Sequence, residues 1–127
     1  IKQLPISLRK ILKSSTNELS FSNSKLTLNV AINYSSKIEI LNVVKLLIIN
    51  KKKLNKKNIE KFLYTSKSGN PEIIIRTGGY KRLSDFLLWQ AAYSELFFEK
   101  KLWPDFKVFD LKKILKKFIQ IKRNFGK

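Results

Sequence analysis

The sequence contains no cysteine, no histidine and no methionine. Without cysteine there is no disulfide framework, no thiolate nucleophile and no Cys-ligated zinc. Without histidine there is no Ser-His-Asp triad, no imidazole general base and no imidazole metal ligand. Any metal must then be held by oxygen atoms, which favours a hard cation such as Mg2+. Acidic residues are few: 9 Asp and Glu stand against 27 Lys and Arg, a formal charge of +18. Glycine (4) and alanine (3) are scarce. No apolar run reaches the roughly 18 residues of a membrane span, and no signal peptide is visible. The chain opens on Ile1 rather than Met, so the expectation is a piece of a longer protein.

What is present suffices for one domain or part of one: 127 residues, 43% of them hydrophobic. That is too apolar for a disordered tail. The basic residues are 23 Lys and only 4 Arg. With Ile, Asn and Phe also abundant, lysine enrichment reads as compositional bias. The charge alone is therefore weak evidence for an anionic partner.

Periodicity divides the chain into helices and strands. Leu4 to Leu19 carries Leu4, Leu8, Ile11 and Leu12 at helical spacing, with Pro5 suited to a first turn. Residues 17–25 are a polar connection, and the alternating stretch 26–33 predicts a strand. Ser36 and Glu39 have capping-box spacing before a helix to about Asn50. A lysine-rich turn (51–57) and a short helix (57–63) follow, then a loop at 66–71. The continuous apolar run Glu72–Arg76 predicts a strand buried in a parallel sheet. After a loop holding Gly78 and Gly79, Ser84 is expected to open a helix through about Phe97, with a short strand near 96–98. Trp103 to Phe106 is a turn, and a last helix runs from about Val108 to Lys122. Strands alternating with helices imply an α/β fold with a central, mostly parallel sheet flanked by helices. There is no internal repeat.

A strand, a Gly-Gly loop and a helix start would suit an anion, because free backbone N–H groups and a helix N-terminus attract negative charge. Two of the four arginines, Arg76 and Arg82, flank that loop, and Ser84 adds a hydroxyl. Guanidinium offers a planar fork that lysine lacks, matched to phosphate or diphosphate. The competing reading is a plain turn with two solvated arginines. Glu95, on a segment apolar nearly all round, reads either as a carboxylate paired with Lys100 or Lys101 or as an oxygen ligand for Mg2+. The last helix sets Val108, Leu111, Ile114, Leu115, Phe118 and Ile121 against four lysines. It fits a core helix with a solvated basic face better than a membrane-surface helix. The Lys51–Lys57 cluster lacks interleaved aromatics, which argues against nucleic acid.

The block from Arg76 through Arg82-Leu-Ser-Asp-Phe-Leu-Leu-Trp-Gln-Ala-Ala-Tyr-Ser-Glu95 to Leu102-Trp-Pro-Asp-Phe106 closely resembles the signature of the cis-prenyltransferases. Leu28 to Tyr34, Glu39-Ile40 and Phe125-Gly126 also fall where that family has such residues. The resemblance covers only the second half of the family's chain. Residues 1–127 are thus expected to be the C-terminal part of a single domain, with its sheet incomplete on the N-terminal side.

The resemblance implies an enzyme that adds isopentenyl diphosphate to an allylic diphosphate such as farnesyl diphosphate, each addition making a cis double bond. The implied product is undecaprenyl diphosphate, a cell-wall lipid carrier. It further implies Mg2+, a homodimer, a cytoplasmic location with peripheral contact at the inner face of the membrane, and no nucleic acid. Arg76, Arg82 and Ser84 match the residues that hold isopentenyl diphosphate. Glu95 matches the acidic residue associated with Mg2+ and the dimer-side active site.

This sequence departs from the pattern at Tyr80, where the family has Glu, and at Asp85, where it has Asn. Ser35-Ser36-Lys37 replaces Gly-Gly-Arg, and Asn124 fills the slot of a C-terminal Arg-x-Gly arginine, with Arg123 one position earlier as the candidate substitute. The family's catalytic Asp lies in a His-Gly-Asn-x-Arg segment that a chain without histidine does not contain. These residues alone are therefore expected to be inactive. Two alternatives stay open: a non-catalytic subunit of a heteromeric prenyltransferase, and a basic nucleic-acid-binding module, which would show steep salt dependence.

Overall fold

A computed structural model of the chain describes residues 4–124. The expected Phe125-Gly126 ending lies outside the described residues. The chain divides into two compact units, residues 1–34 and 35–127.

In the first unit, α1 (Ile6–Glu18) starts after Pro5, whose fixed φ and missing N–H suit a helix entrance. The Leu19 N–H closes the helix onto Ser15 O at 3.0 Å. Residues 26–33 form no strand. Leu26 and Leu28 are 81% and 80% exposed. Strand-forming residues hold a strand only against a ladder partner and a buried face, and this stretch has neither a ladder nor a buried residue.

The second unit holds α2 (Ser36–Ile49), α3 (Lys56–Phe62), β1 (Ile73–Arg76), β2 (Glu95–Phe98) and α4 (Val108–Ile119). Side chains of α2 at near-helical spacing are buried: Ser36, Glu39, Val43 and Leu47. The apolar half packs with Leu63, Ile59, Phe62 and Trp89 into the core. Both helix entrances are capped by side chains: Ser35 Oγ accepts from the Ile38 N–H, and Asn55 Oδ1 accepts from the Asn58 N–H. Glu39 forms no capping box. It is buried and turned inward, accepting from the Tyr64 N–H at 2.6 Å and Gln90 Nε2 at 3.1 Å.

The strands β1 and β2 pair in parallel, Ile73 opposite Glu95 and Arg76 opposite Phe98. This parallel pair, with helices before and after it, is the α/β arrangement that the sequence pattern predicts. The expected helix over 84–97 is absent. Ser84, Asp85 and Leu87 take positive φ, a 3-10 turn spans Gln90–Tyr93, and the chain then extends into β2. The stretch is apolar on every side, so its periodicity does not distinguish helix from strand. Pairing with β1 decides it, helped by the Ser94 hydroxyl donating to Pro71 O at 2.6 Å.

The last helix ends at Ile119, earlier than its pattern suggests, and Ile114 is its buried residue. Asp110 fastens its start. The carboxylate accepts from Lys101 Nζ at 2.7 and 2.9 Å and from the Lys107 N–H at 2.9 Å. The Lys101 hydrogen bond, then the Lys107 N–H, hold its pKa below the ordinary carboxylate value. A lowered folded pKa contributes stability above the unfolded value of about 4, and the contribution is lost as pH falls through the folded value. Asp110→Asn is therefore expected to flatten the fall of melting temperature with acid below about pH 4. An unchanged slope in thermal melts across that range would refute the assignment.

Candidate functional site

β1 ends at Arg76, at the carboxyl edge of the sheet, where open α/β sheets commonly bind ligands. From there the chain turns through Gly78 and Gly79, both at positive φ near 90° and 82°. Their N–H groups are not free for a ligand. Gly78 N donates to Lys101 O at 2.7 Å and Gly79 N to Glu99 O at 2.9 Å. Nor does a helix begin at Ser84. The expected cradle of backbone donors and helix end is thus absent, and what remains at this edge is made of side chains.

Those side chains converge. Arg76 Nη1 donates to Ser84 Oγ at 2.8 Å and to Arg82 O. The Arg82 guanidinium lies 4.2 Å from the centroid of the Tyr80 ring, and that of Arg76 lies 5.8 Å away. Tyr80 is thus a platform under Arg82, a contact worth about 0.5–1 kcal/mol at an exposed site. The sequence marks Tyr80 only as a lost carboxylate. Its place two residues before Arg82 was the available signal of stacking.

The loop after Ser84 is held in an unfavourable backbone shape. Ser84, Asp85 and Leu87 have φ of 50°, 63° and 48°. Left-handed non-glycine residues cost about 1–3 kcal/mol each and persist where surroundings over-determine them. Here the surroundings are the start of α2, which meets Asp85, Leu88 and Gln90 through hydrogen bonds.

Glu95 lies elsewhere. Opposite Ile73 in register, it begins β2, while Arg76 ends β1. Three residue steps along a strand separate the two positions, about 10 Å. Glu95 instead neighbours Arg123, with Oε1 4.0 Å from Nε. Arg123 also donates to Glu72 Oε1 at 2.8 Å and Tyr93 O at 3.0 Å, and lies over the Phe118 ring at 5.4 Å. Glu72 is the partner the sequence did not suggest. Tyr93, Ser94, Glu95, Lys122, Arg123 and Asn124 line a shallow open hollow there. The five candidates therefore fall into two groups: Arg76, Arg82 and Ser84 at one end, Glu95 and Arg123 at the other.

The donor set does not fit a bound Mg2+ within this chain. Among the described residues no three acidic groups cluster, and the one carboxylate in question faces a guanidinium. Mg2+ is usually held by one or two carboxylates plus substrate phosphates, and here Glu95 sits beside Arg123 about three residue steps from the Arg76 end of the sheet.

A family model described as "Putative undecaprenyl diphosphate synthase" matches residues 1–126, and the chain belongs to this prenyltransferase family. It is 40% identical over 111 residues to an isoprenyl transferase of Rickettsia sibirica, covering 87% of this chain and 49% of that one. It is 39% identical over 116 residues to the ditrans,polycis-undecaprenyl-diphosphate synthase ((2E,6E)-farnesyl-diphosphate specific) of Buchnera aphidicola, covering 86% and 46%. Among solved structures, a "probable undecaprenyl diphosphate synthase" from Campylobacter jejuni matches with a TM-score of 0.85 at 32% identity, over 99% of this chain and 59% of that one. Lavandulyl diphosphate synthase from Lavandula x intermedia, in complex with dimethylallyl diphosphate, matches with a TM-score of 0.88 at 27% identity, over 99% and 57%. The chain spans about half the length of the curated relatives it matches. Among the described residues no helix is long and apolar enough to cross a membrane.

Proposed function

We propose that this chain is the C-terminal part of a cis-prenyltransferase domain and supplies its isopentenyl diphosphate site. The observation that carries the reading is the convergence of Arg76, Arg82 and the Ser84 hydroxyl at the carboxyl edge of the sheet. Two guanidinium groups present planar donor forks to the diphosphate oxygens, and the hydroxyl adds one more donor. Tyr80 and Ser84 hold the forks in place, which lowers the entropy lost on binding.

In the proposed reaction, the C–O bond of an allylic diphosphate such as farnesyl diphosphate breaks and its diphosphate leaves. The terminal alkene carbon of isopentenyl diphosphate forms the new C–C bond, and loss of a neighbouring proton sets the cis double bond. The role of this chain is to fix the isopentenyl diphosphate so that its alkene meets the allylic carbon. Repetition to undecaprenyl diphosphate is the proposed outcome for the whole protein. It is proposed to act as a homodimer in the cytoplasm, with peripheral membrane contact, and to use Mg2+. Glu95, remote from Arg76 in this chain, is proposed to serve at the dimer side.

Calorimetric titration of the chain with isopentenyl diphosphate tests the reading. Saturable binding that Arg82→Ala weakens about tenfold is expected; wild-type affinity in that variant would remove the site. The purified 127 residues alone are expected to release no polyprenyl diphosphate, and any product from them would overturn the proposed division of labour.

A further inference from the structure

The contacts between the start of α2 and the loop after Ser84 form a compact seam. Asp85 sits at its centre. The Ser36 N–H donates to Asp85 O at 2.9 Å. The Ser35 hydroxyl donates to Asp85 Oδ2 at 2.5 Å, and the Lys37 N–H donates to Oδ1 at 3.1 Å. One turn on, the Leu88 N–H donates to the fully buried Ser36 Oγ at 3.0 Å. The carboxylate thus lies at the positive end of α2 and satisfies an amide that the helix leaves without an internal partner.

Asp85 is also bonded in sequence to Ser84, whose Oγ accepts from Arg76. Both residues stand at positive φ. That conformation is uncommon for a residue with a Cβ, more so for Ser84 than for Asp85, since aspartate tolerates it better than most. Something must hold the peptide between them, and the seam supplies the hold.

We propose that Ser35 and Asp85 are a coupled pair of positioning residues for the diphosphate site. They touch no ligand themselves. By fastening Asp85 to α2 they fix the backbone that aims the Ser84 hydroxyl at Arg76, and so the guanidinium that Arg76 presents. A loop released from α2 would let Ser84 swing away and Arg76 lose its side-chain acceptor. The inference rests on the isopentenyl diphosphate reading of Arg76, Arg82 and Ser84, and assigns the residues that preorganise it.

The test is calorimetric titration of isopentenyl diphosphate into the full chain and its Asp85→Ala, Asp85→Asn, Ser35→Ala and double-alanine variants, with Arg76→Ala alongside. Asparagine keeps an acceptor for the Lys37 N–H and a polar group for Ser35. Asp85→Ala and Ser35→Ala are each expected to weaken binding about tenfold, the double variant by little more than either. Asp85→Asn should stay within about threefold of the parent. A contribution to stability alone would not produce this coupling in affinity or this rescue. Loss of binding in Arg76→Ala with parental affinity in both alanine variants would overturn the proposal and leave the site standing. Parental affinity in Arg76→Ala would remove the site reading and the proposal together. Should Asp85→Ala fail to fold, Ser35→Ala decides: tenfold weaker binding supports the pair, and parental affinity overturns it.

Discussion

Arg76→Ala is expected to weaken isopentenyl diphosphate binding about a hundredfold, some 2.7 kcal/mol. Arg76 holds the centre of the cluster: its Nη1 reaches both the Ser84 hydroxyl and Arg82 O. Truncation removes one cation and also frees the two groups it organises, so the loss should exceed that of Arg82→Ala. Arg82 is exposed and rests on Tyr80, so it can be lost without disturbing its neighbours. Arg76→Lys should recover little, because a point charge with rotatable donors cannot span Ser84 and a phosphate oxygen at once. Calorimetric titration checks both variants. Parental affinity in Arg76→Ala would show that the arginine is a structural tie and no part of a diphosphate site.

Glu39→Ala is expected to cost about 3 kcal/mol of folding stability. The carboxylate is 1% exposed and accepts from the Tyr64 N–H and from Gln90 Nε2. Its removal takes the acceptor from the part-buried Tyr64 N–H, leaves the buried Gln90 Nε2 with only Thr65 Oγ1, and opens a void beside Val43. Glu39→Gln should be milder. The substitute keeps one acceptor for Tyr64, and its amide donor can meet Gln90 Oε1, a buried oxygen without a hydrogen-bond partner, once the Gln90 amide turns over to bring that oxygen where Nε2 now faces residue 39. Urea unfolding followed by Trp fluorescence reads the difference through the midpoint, and Trp89 packs on the adjacent core. A loss well under about 1 kcal/mol in Glu39→Ala would mean that the pocket relaxes or admits water.

The sequence was most legible where a single element explains its own pattern. α1, α2, α3 and α4 lie close to where periodicity places them, because helix hydrogen bonds are local, but the apolar stripes reported burial poorly: α1 buries no side chain and α4 buries only Ile114. β1 was legible from Ile73 to Ile75, three β-branched residues in a row. Failures came where distant residues decide. Residues 26–33 alternate as a strand should, yet carry no ladder. The 84–97 stretch starts with a serine and an aspartate that look like a helix entrance. In the structure that serine serves Arg76 and that aspartate serves α2. The pair Ser36 and Glu39 looks like a capping box, but both side chains serve residues distant in sequence, Leu88 for Ser36 and Tyr64 and Gln90 for Glu39.

For the site, composition carried more than geometry. Two of only four arginines within seven residues drew the eye to this edge, and the structure sets both guanidinium groups beside the Tyr80 ring. Spacing could not reveal that the glycine amides already have carbonyl partners, nor that Glu95 begins the other strand at the opposite end. Arg123 shows the same limit. Its charge was visible, but its two carboxylate neighbours come from β2 and the residue preceding β1.

The engagement of Gly78 and Gly79 with Lys101 and Glu99 has a bearing on the medium in which the protein works. A phosphate nest of backbone amides is a fixed array of dipoles, sheltered from dissolved ions. Here those dipoles are spent on the protein's own carbonyls, and exposed full charges take their place. Mobile counterions shield such charges over a Debye length of about 8 Å at physiological ionic strength. The diphosphate capture proposed for this edge is therefore expected to tighten as salt is diluted and to slacken as it accumulates.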